Sequence, residues 1–247
     1  MNWSKIKSIM ICFLLGMNIF MLGFTAFTTY KENNLPKEVV SASVNLLKEH
    51  SLSCSESVFP TYVSSLPVLS AEFFSASELS DMFFGKQIPF RTVEDSLVAE
   101  DNYQTLTVKD NFFSFESGLS EEKSTKAKKL RALKKLGIDM SGSTYDEKNG
   151  YFYKMYKNTN LFDMYIKIEL DADMDIASVK AQWPQKLKPT RSVISFSIAP
   201  YVTDIWKNLE SGKITDIEPG YKLLRHGESF VFKPAWRITA DGKSKIF

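Results

Sequence analysis

Two histidines, His50 and His226, and two cysteines, Cys12 and Cys54, are the residues of this 247-residue chain best equipped for chemistry. The histidines lie far apart, so any triad would have to be assembled by the fold, and many serines leave such an arrangement open. His226, beside Gly227, reads as a loop residue. No HExxH, CxxC, GxSxG or phosphate-cradling glycine loop is present. Asp171, Asp173 and Asp175 alternate in a way that suggests calcium. An EF-hand-like loop, though, needs a glycine turn and a later Glu ligand at fixed offset, and neither follows. The polar face of a strand end is the plainer reading. The residues therefore predict no catalytic constellation, no metal and no cofactor.

Charge narrows the partners. Lys5 and Lys7 account for two of the 31 basic residues, so beyond them 29 basics meet 29 acids. A balanced surface gives no support for nucleic acid or anionic lipid as a partner of the exported part. The run Lys126–Lys135, KAKKLRALKK, reads as the solvated face of an amphipathic helix rather than a nucleic-acid or membrane patch. Cys12 and Cys54 are expected on opposite sides of a membrane boundary, which excludes a bond between them. Cys54 is read as a buried small hydrophobe, with a free thiol or an interchain bond as the alternatives.

The elements that must position any site begin with the first thirty residues. After Lys5 and Lys7, Ser8 to Phe27 runs twenty residues without a formal charge. As helix that is about 30 Å, the thickness of a hydrocarbon core. A cleaved signal would have a shorter apolar core ending in small residues, whereas Phe24 and Phe27 interleave here. The expectation is a cytoplasmic stub over residues 1–7, a transmembrane helix over 8–28 and an exported remainder. The cationic excess before the helix sets that orientation. The protein is accordingly expected in the cell membrane as a single-pass chain, N-terminus cytoplasmic and C-terminal domain extracellular.

On such a helix Cys12, Gly16 and Gly23 share one stripe of small side chains. Asn18 and Thr25 share another, roughly opposite. Small residues permit close backbone approach and Asn or Thr can hydrogen-bond across an interface, so these five are the candidate helix–helix contacts.

Beyond the anchor the pattern predicts an α+β ectodomain of two related lobes, 31–118 and 119–247, each a helix plus an antiparallel strand meander. A helix follows Leu35-Pro36 and ends near His50. A second, Ser77 to Phe84, stops at Gly85. Strands around 97–99, 103–108 and 112–115 are separated by Asp101-Asn102 and Asp110-Asn111. Ser120 is expected to cap a helix with Glu121 and Glu122 in its first turn. Strands follow at 150–156, 164–170 and 176–183, then a helix over 201–210. Strand segments at 214–217, 221–224 and 230–238 lead to a hairpin at Asp241-Gly242.

The opening Met1-Asn2-Trp3-Ser4-Lys5-Ile6-Lys7, followed by one membrane helix containing Asn18-Ile19-Phe20, is similar to the start of the YycI family. With the companion YycH proteins, these are membrane-anchored regulators of an essential two-component system in low-GC Gram-positive bacteria. The ending, Tyr221 to Phe247 with its Pro234-Ala235-Trp236-Arg237-Ile238 strand, resembles the last strands of that family's exported domain. The resemblance implies a non-enzymatic accessory protein that sets the activity of a sensor histidine kinase controlling cell-wall metabolism. It also implies that the anchor packs in the lipid bilayer beside the kinase and a YycH-like single-pass partner, with homo- or heterodimers both open. Two other readings stay open on the residues alone. One is a tethered exported enzyme. The other is an extracellular ligand-binding or protease-inhibiting module with Trp206 and Trp236 in a groove, although their helix and strand contexts favour the core.

Overall fold

Periodicity and burial coincide in the first helix of the domain, α2 (Lys37–Glu49), where Val40, Val44 and Leu47 are buried at i, i+4 and i+7. β-branched residues cost a helix a few tenths of a kcal/mol each, whereas burying each such side chain returns roughly 1.5–3 kcal/mol. Packing therefore makes this helix. The computed structural model describes residues 3–32, 34–209, 211–227 and 229–247, with side chains described except at 3–6, 8, 9, 12, 30–32 and 64. Ahead of α2 stands α1 (Trp3–Glu32), thirty residues of helix. Among the described residues no helix is long and apolar enough to cross a membrane; part of the apolar run of α1, including the side chains at 8, 9 and 12, lies outside them.

After α2 come β1 (Leu52–Ser53) and β2 (Ser64–Phe73), and then α3 (Ala76–Phe84). A meander follows: β3 (Arg91–Val93), β4 (Ser96–Asp101), β5 (Gln104–Lys109) and β6 (Phe112–Glu116). Its turns fall at Asn102 and Asp110, both left-handed, as the Asx residues there predict. Helix α4 (Lys126–Lys135) leads to β7 (Ser143–Asp146), β8 (Tyr151–Tyr156), β9 (Thr159–Leu170), β10 (Ile176–Gln182) and β11 (Pro184–Phe196). A short 3-10 turn, Ala199–Tyr201, enters α5 (Val202–Asn208). Strands β12 (Gly212–His226), β13 (Ser229–Ala240) and β14 (Lys243–Ile246) complete a mixed, sheet-dominated α+β fold.

Neighbours in the sheet run β11-β2-β13-β12-β9-β10-β6-β5-β4-β3. The ladder is antiparallel except where β12 meets β9, Gly220 opposite Asn160 and Tyr221 opposite Leu161, and where it meets β1. The segments at 214–217 and 221–224 are thus one strand, carried through Pro219, whose side of β12 has only these short pairings. β11 ends the path and suits an edge: Pro184 and Pro189 interrupt its donors, and Lys186 and Lys188 reach Glu72 at 3.2 and 3.7 Å.

The apolar clusters do not follow chain order. One joins α2 and Phe59 to Phe196, α5, Ile217 and Trp236. A second joins Leu79 of α3, Leu106, Phe115, Leu133 of α4, Phe152, Ile168 and Trp183, so it draws on both sides of Gly118. A third, with Leu69, Met164, Tyr221 and Phe232, sits between them under the middle strands.

Two helix starts show local chemistry at work. The expected cap at Ser120 is corrected: α4 begins at Lys126, with Thr125 before it. The reason is a competing partner, because the Glu122 N–H donates to the Leu170 carbonyl (2.8 Å) and Glu121 accepts from the Ser178 hydroxyl (2.6 Å). At α3 the expectation holds. Ser75 accepts from the Glu78 N–H (3.3 Å), the Glu78 carboxylate accepts from the Ser75 N–H (2.8 Å), and Gly85 closes the other end left-handed. The Ser75 backbone N–H, then its hydroxyl and the Gln185 amide, hold the Glu78 carboxyl below its ordinary 4.5. A depressed carboxylate stabilises the fold above that ordinary value and loses the contribution as pH falls through the folded one. Glu78→Gln is therefore expected to unfold at lower urea than the parent near neutral pH, with the gap closing on acidification below 4.5. Urea midpoints across that range check it, and a gap that widens in acid would refute it.

Candidate functional site

Exposed apolar side chains mark α1 before anything else. Twelve large ones between Met10 and Phe27 face outward, against eight in the rest of the described chain. Phe13, Phe20 and Leu22 are 70%, 70% and 72% exposed. A continuous apolar surface of this kind is where lipid or another protein is met. The candidate contacts sit along it. A Cβ at Gly16 or Gly23 would meet nothing within 4 Å, so neither gap is filled from within the chain. Asn18 is exposed and makes no hydrogen bond among the described residues. The Thr25 hydroxyl donates to the Met21 carbonyl one turn back (2.7 Å), which satisfies its proton inside the helix and leaves its oxygen to accept. The side chain of Cys12 lies outside the described residues.

Within the domain one titratable group with altered surroundings, Lys154, lines a cleft. It stands on the same inward face of β8 as Phe152, an apolar–polar alternation that places a lysine on the core side. Burial pushes its ammonium below the ordinary lysine value, and the Asp139 carboxylate partly opposes this. A lowered lysine lining a cleft is a nucleophile candidate. Here, however, its donors are committed: Asp139 and Ser141 carbonyls at 3.2 and 2.7 Å, with the Asp139 carboxylate at 3.7 Å and the Trp183 ring 5.1 Å away. Trp183 Nε1 donates to the same Asp139 carbonyl at 3.3 Å. This arrangement pins the 139–141 turn over the end of α4. The alternation of β8 is the one signal in the sequence that points to Lys154.

The remaining chemical candidates are occupied structurally. His50 lies flat on Trp206, ring centres 3.9 Å apart. The His226 carbonyl accepts from the Ser229 hydroxyl in the β12–β13 turn (2.8 Å), and neither imidazole bonds a serine or carboxylate among the described residues. Asp171 accepts from the Asp175 N–H (2.8 Å), closing a turn rather than presenting three carboxylates to one point. No group of three or more potential metal ligands occurs among the described residues. Cys54 is buried and unpaired, and desolvation raises its thiol above the ordinary value, opposing the nearby Lys48. Trp236 is fully buried in the first cluster and Trp206 packs on it, so both belong to the core.

No family model matches this chain, and no curated protein sequence matches it. Among solved structures it is similar to YycH from Bacillus subtilis, 17% identical over 76% of this chain and 53% of that one, with a TM-score of 0.47. An uncharacterized protein from Eubacterium rectale is 10% identical over 76% of this chain and 83% of that one, TM-score 0.42. The YpeB C-terminal domain of Bacillus megaterium is 11% identical over 68% and 87%, TM-score 0.31. The chain spans about half the length of the YycH structure it matches.

Proposed function

We propose that this chain is a non-enzymatic, membrane-anchored accessory regulator of a sensor histidine kinase in a two-component system controlling cell-wall metabolism. The observation that carries the reading is α1: twelve outward apolar side chains on one helix, free of the domain's cores, with small and polar residues set among them. Such a surface is stable in a bilayer and against other membrane helices, not in water. Residues 8–28 then span the membrane, with residues 1–7 in the cytoplasm and the sheet domain outside. The resemblance of the two chain ends to the YycI family supports the same reading.

The link between helix and domain suits transmission. Asn34 pairs with Tyr62 and the Leu35 N–H donates to the Thr61 carbonyl (2.6 Å), so the domain takes hold two residues after α1 ends. A displacement of the domain is then passed to the anchor with little slack. Regulation follows if α1 binds one kinase conformation better than another, because only differential affinity shifts an equilibrium. A coupling of about 1–3 kcal/mol, roughly five- to 150-fold, is the usual scale.

The test is co-purification from detergent-solubilised host membranes, comparing the native chain with one whose residues 8–27 are polyleucine. A sensor kinase and a second, YycH-like single-pass protein are expected with the native anchor and lost with polyleucine. Recovery with both anchors would move recognition to the domain. No kinase with either anchor would sink the proposal.

A further inference from the structure

Between α3, α4 and the meander, at the margin of the second apolar cluster, lies a cleft of about 570 Å³. Its floor is apolar: Met82 and Phe83 from α3, Phe115 from β6, Leu136 after α4 and Ile176 of β10. Phe83 stacks on Phe115 with ring centres 4.4 Å apart, which keeps the floor flat and rigid. The mouth is cationic. Lys128, Arg131 and Lys135 of α4 line it at i, i+3 and i+7, one face of the helix. All three are exposed, and none is in an ion pair or hydrogen bond among the described residues. Asp175 is the one carboxylate on the lining.

The size falls within that of small-molecule sites, and a partner protein would need a much broader face. An apolar floor calls for a hydrocarbon body, and a row of unpaired cations at the mouth calls for an anionic end. We infer that this cleft binds an anionic amphiphile, a single acyl chain ending in a phosphate, supplied by the membrane leaflet beside the domain. That supply rests on the anchor reading above; the fit of the cleft does not. The acyl chain lies along Phe83 and Leu136, and the phosphate meets Arg131 and its neighbours.

The full chain in nanodiscs of phosphatidylcholine is exposed to lysophosphatidic acid bearing a diazirine on its acyl chain. The same-chain lysophosphatidylcholine probe is run in parallel. After illumination, labelled residues are mapped by mass spectrometry. Expected is labelling at Met82, Phe83 or Leu136 that is about tenfold stronger with the anionic probe. Arg131→Gln with Lys135→Gln should lower it by a similar factor, and Ala132→Phe, which narrows the cleft, should lower labelling by either probe. Inorganic phosphate in excess should not displace the label. Equal labelling by both probes, or none at the cleft, overturns the inference. Displacement by phosphate alone would assign the mouth to a free anion and overturn the lipid. Co-purification of the kinase is a separate readout, so the regulator reading can fail while cleft labelling stands.

Discussion

Glu169→Ala is expected to destabilise the domain by about 3–5 kcal/mol, because it strands a buried ammonium. Lys129 is 4% exposed, and its Nζ meets Glu169 Oε2 at 2.6 Å, while Lys167 reaches the other oxygen at 3.4 Å. The pair ties α4 to β9 above the second apolar cluster. Taking two charges out of water costs nearly what their attraction returns, so the pair itself adds little stability. Removing one partner exposes the whole desolvation cost. The double replacement Lys129→Met with Glu169→Leu should therefore recover most of the loss. Urea unfolding of the three variants decides the point. A single-variant loss under about 1 kcal/mol would mean that water reaches the pair and that it behaves as a surface bridge.

Gly220→Ala comes next, at about 3 kcal/mol. A Cβ there would overlap the Phe162 ring, which lies directly on the Gly220 backbone. The ring is held in place, since it is buried and the Arg237 guanidinium, ion-paired with Glu218, lies over it at 4.8 Å. Gly220 is also one of two residues through which β12 meets β9, so a shift of the ring separates the strands. Phe162→Leu in the alanine background makes room and should restore much of the loss. The unfolding midpoint of the double variant, compared with each single one, distinguishes overpacking from a backbone effect. No rescue would mean that the strand contact, not the ring, is what the methyl disturbs.

Elements governed by neighbours in sequence were readable from the chain. Gly85 ends α3 where the chain predicts it, and Asp241-Gly242, both left-handed, form the expected tight hairpin. β11 was not readable. Its thirteen residues include two prolines and two lysines, and most are exposed, so it lacks the alternation of a half-buried strand; β2 specifies it from more than a hundred residues away. The start of α4 was misplaced for the same reason, a distant carbonyl at Leu170 claiming the backbone of Glu122. Site chemistry divides likewise. KAKKLRALKK reads as a solvated face, and for Lys128, Arg131 and Lys135 it is, yet Glu169 forty residues later turns Lys129 inward. The faces of α1 are written in spacing alone, and nothing else among the described residues of the chain fills the space beside Gly16 or Gly23.

The order of the apolar clusters has a consequence for the chain as it is made. Residues 74–183 hold nearly all of the second cluster and are synthesised in one piece, so that part can condense early. Helix α2, made first of all the domain's elements, packs on Phe196, Ile205, Ile214 and Trp236, which arrive last. The stretch nearest α1 must therefore wait, its Val40, Val44 and Leu47 uncovered, through most of the polypeptide's emergence. This is the interval in which the nascent protein is most exposed to proteases and holding chaperones, and any pause between residues 183 and 236 prolongs it.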